Sequence, residues 1–171
     1  MSVPEDHLKV VEDLKKAVGA ENVLEWKIPR ERRIFVRVKT ERLRDAVRHL
    51  ADEGFKHIST ISGVDTGDGI DVVYHLARGR ISLSLKVKTD YEGKLPTITD
   101  IIPGAVLYER EVHDLFGVVF ENHPDLSRLI LPDDWPEGVY PLLKKWKIED
   151  LRRRLMESCL LYTSPSPRDR G

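Results

Sequence analysis

Cysteine is almost missing from this chain. The single Cys159 leaves no internal disulfide, no four-cysteine zinc site and no cysteine-ligated iron–sulfur cluster. Long apolar runs are missing too. No stretch of about 18 apolar residues occurs, so no segment has the pattern of a membrane span. The opening MSVPEDHLKVVEDLKK has no basic segment leading into an apolar one, so no signal peptide is read there, and a reducing compartment is expected. Neither sign of charge dominates: 28 Lys and Arg stand against 29 Asp and Glu, a net charge of −1. That balance argues against broad attraction to nucleic acid or to an anionic bilayer. No nucleic-acid partner is expected, and any membrane association must come through other proteins. Cofactor fingerprints are also lacking. GVDTGDG (63–69) is neither a dinucleotide-binding GxGxxG opening a helix nor a P-loop, and it reads as a polar hairpin turn.

What is present is the pattern of one α+β domain, as suits 171 residues. Ser2 and Glu5 have capping-box spacing, and Leu8, Val11, Leu14 and Val18 follow a helical period up to Gly19. Strands are expected over Glu21–Ile28 and Arg33–Lys39, with Pro29–Arg32 as the turn between them. Thr40 is read as the cap of a helix whose inward face is Leu43, Val47 and Leu50, and Gly54 as its end. Three more strands follow: His57–Val64, Ile70–Ala77 and Arg80–Lys88, the last two joined by a hairpin at Gly79. TDYEGKLPT reads as a loop. The order favours a mainly antiparallel sheet with helices on one face, followed by a loop-rich C-terminal extension. The division is residues 1–102 for the α+β part and 103–157 for a helix and extension of the same domain. The last stretch, CLLYTSPSPRDRG, breaks the preceding pattern. It is similar to one reading frame of a sequencing adaptor translated as protein, so residues 158–171 are set apart as a non-native tail.

The chemistry-bearing residues crowd into YEREVHDLFGVVFENHPDLSRLILPDDW, residues 108–135. A helix from about Ala105 to Gly117 would place Tyr108, Val112, Leu115 and Phe116 on one face. Glu109 and His113 would flank it as one i,i+4 pair, and Arg110 and Asp114 as another. Ligand-type residues abound, but none has metal-site spacing such as HExxH or CxxC. Glu109, His113 and Asp114 offer an acid–base group, yet no GxSxG or other nucleophile stands nearby. The remaining reading is an interaction surface. Arg110 would supply a guanidinium fork, and Tyr108, Phe116, Phe120, Trp135 and Trp146 would be aromatic anchors. Plain surface ion pairs remain the bland alternative.

The same stretch resembles the signature of the 30-kDa subunit family of respiratory complex I: E-R-E-x-x-D, two apolar residues, Gly, then H-P-D-L-x-R. Glu109, Arg110, Glu111, Asp114, Leu115, Phe116, Gly117, His123, Pro124, Asp125, Leu126 and Arg128 all match it. LPDDW, ending in Trp135, and Tyr140-Pro141-Leu142 match the blocks that follow. The chain departs at Ser127, where an Arg is usual, and at Leu143-Lys144-Lys145-Trp146, where Arg-Lys-Asp-aromatic is usual. The resemblance implies a hydrophilic, cofactor-free structural subunit of an NADH- or F420H2-type quinone oxidoreductase that is not catalytic by itself. The alternative is the equivalent subunit of an energy-converting nickel–iron hydrogenase. It further implies a large, nickel–iron-hydrogenase-like (49-kDa) partner and iron–sulfur subunits, with FMN, the clusters or a NiFe centre held by those partners. A peripheral position on the cytoplasmic face of the membrane is implied as well. Under it, Arg110 and Glu111 would anchor the helix, His123 and Asp125 would fix the adjoining turn, and Trp135 and Trp146 would pack the extension on the partner.

Overall fold

The structure is a computed structural model and describes residues 5–162. Helix α1 (Glu5–Val18) and a 3-10 turn (Ala20–Asn22) lead into strand β1 (Val23–Arg30) and strand β2 (Arg33–Val38). A second 3-10 turn (Thr40–Arg42) opens helix α2 (Leu43–Asp52), followed by strands β3 (His57–Asp65), β4 (Ile70–Arg78) and β5 (Ile81–Thr89). Strand β6 (Lys94–Pro96), helix α3 (Ala105–Phe116), strand β7 (Val119–Glu121) and helix α4 (Ile148–Tyr162) complete the order. The Ser2 capping box lies outside the described residues. Helix α4 runs past Ser158, and the rest of the tail that was set apart also lies outside them.

The five long strands form one sheet in the order β1-β2-β5-β4-β3. Its neighbours are antiparallel except β2 and β5, which run parallel with Ile34 beside Leu83 and Val36 beside Leu85. Alternation puts Ile34, Val36 and Val38 on the same face as Leu83, Leu85 and Val87. Across the next pair come Val72, Tyr74 and Leu76, and all of these are essentially solvent-free. That face receives Val10, Val11 and Leu14 of α1 and Leu43, Val47 and Leu50 of α2. Each such side chain contributes on the order of 2 kcal/mol by leaving water. The expected α+β layering is therefore present, with one sheet face covered by helices.

Several local expectations are corrected. Pro29 lies inside β1, not in a turn. β1 is an edge strand with register shifts, where a missing N–H costs little. Thr40 does not cap α2. Its Oγ1 donates instead to the Lys88 carbonyl at 2.6 Å, stitching the helix entrance to β5. The TDYEGKLPT loop contains β6, which pairs in parallel with β7 through Leu95 and Phe120, both buried. This small second sheet brackets α3 in sequence and brings the chain before the helix against the chain after it.

α3 packs on edge strand β3, and the contact depends on Gly63. A Cβ there would lie 2.5 Å from the Phe116 ring. Gly63→Ala is therefore expected to cost roughly 1–3 kcal/mol by overpacking. Urea denaturation of Gly63→Ala, Phe116→Leu and the double variant should show a double change smaller than the sum of the singles. Additive losses would mean that ring and glycine do not share this space.

Candidate functional site

α3 directs its charged residues to four different places. Gly117, at φ +80°, ends the helix as expected and donates its N–H to the His113 carbonyl at 2.8 Å. The Tyr140 ring occupies the space a Cβ would need. Burial along α3 does not follow the apolar stripe expected from sequence: Glu109 and Asp114 are buried with Ala105, Val112 and Phe116, and Tyr108 and Leu115 only partly.

Glu109 points inward and is fully shielded. Its Oε1 accepts the Ile98 N–H at 2.9 Å and its Oε2 accepts the Thr97 hydroxyl, which lies 3.0 Å from Thr99 Oγ1. The His123 Nε2 stands 3.8 Å from Oε2. A ring carrying its proton on Nε2 satisfies both His123 contacts. It donates to the Val106 carbonyl at 3.1 Å, and Nδ1 accepts the Asp125 N–H at 3.1 Å. Burial pushes the Glu109 carboxyl up to about 7 against the pull of the Thr97 and Ile98 hydrogen bonds. Nearby, the buried Tyr74 hydroxyl has no hydrogen-bond partner among the described residues, and burial, with the Glu109 charge second, holds its ionisation far above the ordinary value. The expected Glu109–His113 surface pair does not form. His113 instead places Nδ1 2.9 Å from the Val118 carbonyl.

Arg110 and Asp114 do not pair with each other either, because both reach into the extension. Arg110 donates from Nε to the Ser127 carbonyl at 3.0 Å, and from Nη2 to Ser127 Oγ at 2.8 Å and the Arg128 carbonyl at 2.9 Å. Its Nη1 lies 3.6 Å from Asp125. Asp125 itself accepts the Ser127 N–H at 2.8 Å, holding the turn that Pro124 opens. Asp114 Oδ2 accepts three successive N–H groups, from Leu129 at 3.2 Å and from Ile130 and Leu131 at 2.8 Å each. Burial works to raise this carboxyl, but the three amides outweigh it and hold it below the ordinary value of 3.8. Arg128 returns to the Pro132 carbonyl at 2.9 Å, and the Trp135 indole donates to the Val139 carbonyl at 2.7 Å. Glu111 is half-buried, and its side chain makes no hydrogen bond or ion pair among the described residues.

One residue of this arrangement escaped the sequence reading. Asp65, at the end of β3, accepts the Lys144 N–H at 2.7 Å, the Tyr91 hydroxyl at 2.7 Å and the Gly67 N–H at 2.8 Å. Two carboxylates far apart in sequence thus fasten the extension by its backbone. In GVDTGDG, Asp65 carries the pattern of a solvent-facing turn, and nothing in the spacing links it to Lys144.

The acid–base grouping of Glu109, His113 and Asp114 is not assembled, since each side chain bonds in a different direction. Among the described residues, no group of three or more His, Cys, Asp or Glu is placed to hold a metal ion. Of the proposed aromatic anchors, Phe116 and Phe120 belong to this chain's own core, and Tyr108 and Trp146 pack partly against it. Outward on the extension, aliphatic residues stand among exposed charged ones such as Asp133, Asp134, Lys144 and Lys145. Leu129, Ile130 and Leu142 are 38%, 54% and 51% exposed on segments whose backbone is pinned.

The model of the family described as respiratory-chain NADH dehydrogenase, 30 Kd subunit, matches residues 36–152. Among similar proteins, an NADH-quinone oxidoreductase subunit of Chloroherpeton thalassium is 41% identical over 102 residues, covering 57% of this chain and 42% of that protein. Its counterpart in Roseiflexus sp. is 39% identical over 120 residues, covering 65% and 68%. The chain thus spans from under half to about two thirds of these two relatives. Of solved structures, a chain of the membrane-bound sulfane sulfur reductase, an archaeal respiratory membrane complex, superposes with a TM-score of 0.75 at 30% identity over 98% of this chain and 99% of that one. The trypsin-resistant fragment of Nqo5 superposes with a TM-score of 0.58, also at 30% identity, over 68% and 99%.

Two outcomes follow from the geometry. Asp114→Ala removes the acceptor for three amides, so a loss of roughly 1–3 kcal/mol is expected. Trypsin should then cut after Arg128 faster than in the parent. An unchanged digestion rate would mean that Asp114 does not hold the extension. For Glu109 the sign is the reverse of the usual carboxylate. Folding takes up a proton between the ordinary value of 4.5 and about 7, so its contribution is fullest below 4.5 and is lost as pH rises to about 7. The span is roughly 3 kcal/mol, and Glu109→Gln should flatten it in denaturation curves taken at about pH 5, 6 and 7.

Proposed function

Because this chain belongs to the family of the 30 Kd subunit of respiratory-chain NADH dehydrogenase, we propose that it is a hydrophilic structural subunit of a complex I-like oxidoreductase bound at the membrane. In this reading it carries no cofactor and no reacting group of its own. It buttresses the large, nickel–iron-hydrogenase-like subunit, while flavin and iron–sulfur clusters reside in other subunits. Its place is peripheral, on the cytoplasmic face. Among the described residues no helix is long and apolar enough to cross a membrane, so attachment runs through partners.

The observation that carries this reading is the pinned extension. Residues 127–131 and 144 are fixed by Arg110, Asp114 and Asp65 chiefly through backbone groups, which leaves the side chains of Leu129 and Ile130 facing outward. Isolated flexible loops lose entropy on binding, whereas a surface already fixed loses less. Exposed Leu129, Ile130 and Leu142 on such a support suit the apolar centre of a subunit interface.

A second reading is supported by the near-complete overlap with a chain of the membrane-bound sulfane sulfur reductase. In it the same surface meets the large subunit of a hydrogenase-like respiratory complex, and quinone is not the acceptor. The departures at Leu143 and Lys145 are in keeping with this branch. Purifying the complex through a tag on this chain and identifying the large subunit by mass spectrometry separates the two.

Ile130→Glu tests the shared core of both readings. The free chain should fold and melt as the parent does, because Ile130 is 54% exposed. Recovery of the large subunit with it should fall at least about tenfold, the scale of a charge forced into an apolar contact. Undiminished recovery and activity of the complex would overturn the proposal.

A further inference from the structure

The sheet has a second face, opposite α1 and α2, on which no element of the described chain rests. Register fixes its rows. Arg37, Lys86, Val73 and Ser62 stand side by side across β2, β5, β4 and β3, and Phe35, Ser84 and His75 form the next row. Between them lies a shallow concavity of about 360 Å³ whose walls are mostly carbon, with Phe35, Val64 and Val73 contributing. Val64 is 50% exposed, although it sits on a sheet strand beside this hollow.

We propose that this face is a docking surface separate from the extension, and that its occupant is an amphipathic helix of a partner subunit bearing a carboxylate for Arg37 and Lys86. The proposal rests on the chain being a subunit, but on none of the residues of the extension.

The choice of occupant follows from bonding and charge. β2, β5 and β4 are interior strands with paired backbones, so an incoming strand has nothing to bond along this face. Contact must be made by side chains, and a helix, about 10 Å across, is the element that ordinarily covers a sheet face. Asp71, 6% exposed, is shared by two cations: Arg37 Nη2 at 3.2 Å from Oδ1 and Lys86 Nζ at 2.9 Å from Oδ2. Each cation keeps further N–H donors, so one more carboxylate would complete a two-by-two arrangement. Lys27 lies 4.0 Å from Glu25 and 5.7 Å from the centre of the Phe35 ring. Arg33 adds a cation whose charge, after burial, holds His75 below its usual value, so His75 adds no charge at neutral pH. The face is therefore positive on a chain whose net charge is −1. The positive excess is only modest, and Asp71 and Glu25 lie within it, which disfavours a polyanion and favours an apolar segment with a few carboxylates.

The test uses the complex recovered through the full chain, with Val64→Cys in a Cys159→Ser background, so that the introduced thiol is unique. A water-soluble maleimide should label it at least about tenfold more slowly in the complex than in the free chain, as expected for a site inside an interface. A benzophenone maleimide placed there should crosslink to one helical peptide, bearing Asp or Glu, of another subunit. Adding Arg37→Gln should lower that crosslink about tenfold, the scale of losing one charged partner, while the free chain keeps its melting temperature. Equal labelling in complex and free chain would overturn the proposal. So would a crosslink to lipid, to nucleic acid, to a second copy of this chain or to a peptide without a carboxylate. A complex that assembles normally with a freely labelled thiol refutes this surface alone. A chain recovered in no complex refutes this proposal and the preceding one together.

Discussion

Asp114 gathers the amides of Leu129, Ile130 and Leu131 onto one oxygen, and the form of the C-terminal third depends on that convergence. The segment between β7 and α4 has no strand or helix to satisfy its backbone, and a segment of that kind ordinarily stays solvated and mobile. Here the partners are supplied from outside: a carboxylate for the N–H groups, the Arg110 guanidinium for the carbonyls of Ser127 and Arg128, and Asp65 for the Lys144 amide. Tyr140 closes over Gly117 in the space left by the missing side chain. A charged side chain used in this way does not add much net stability. It selects one path for the chain among many.

The same logic explains which parts of the molecule could be read from its sequence. Period-two and helical patterns are consequences of a single apolar face, and they located the long strands and the first three helices with small errors at the ends. Gly54, Gly79 and Gly117 marked real turns because their positive φ angles suit glycine. Where burial is polar the pattern misleads. Glu109 and Asp114 occupy inward positions that an apolar count assigns to Tyr108 and Leu115, and their partners Thr97, Ile98 and Leu129–Leu131 lie too far along the chain for i,i+4 reasoning. β6 escaped because its pairing with β7 spans the whole of α3. The signature EREVHD was visible as a motif, but its meaning was internal: the charges expected to meet a partner serve first to brace the extension that would meet it.

That division clarifies how one scaffold serves different complexes. A surface pinned by three charged residues tolerates changes at Leu129, Ile130 and Leu142, since no pinning bond passes through their side chains. Ser127 is the exception. It stands where an arginine is usual, and its hydroxyl and carbonyl both receive Arg110, so the turn keeps its hold with a smaller residue. Leu129, Ile130 and Leu142 are then free to vary without loosening the backbone beneath them.

The parallel pairing of β2 with β5 carries a consequence for how the chain is made. Val36 finds its neighbour Leu85 only after α2, β3 and β4 have been synthesised. Until then the β1–β2 hairpin leaves the ribosome as a two-stranded ribbon, an arrangement that is marginal alone, with its apolar side uncovered. Closing that distant contact is slow compared with forming the β3–β4–β5 meander, whose strands are joined by short turns. The N-terminal elements therefore wait on the middle of the chain. During that interval the nascent polypeptide is most open to chaperones and proteases, well before any companion subunit has a finished surface to recognise.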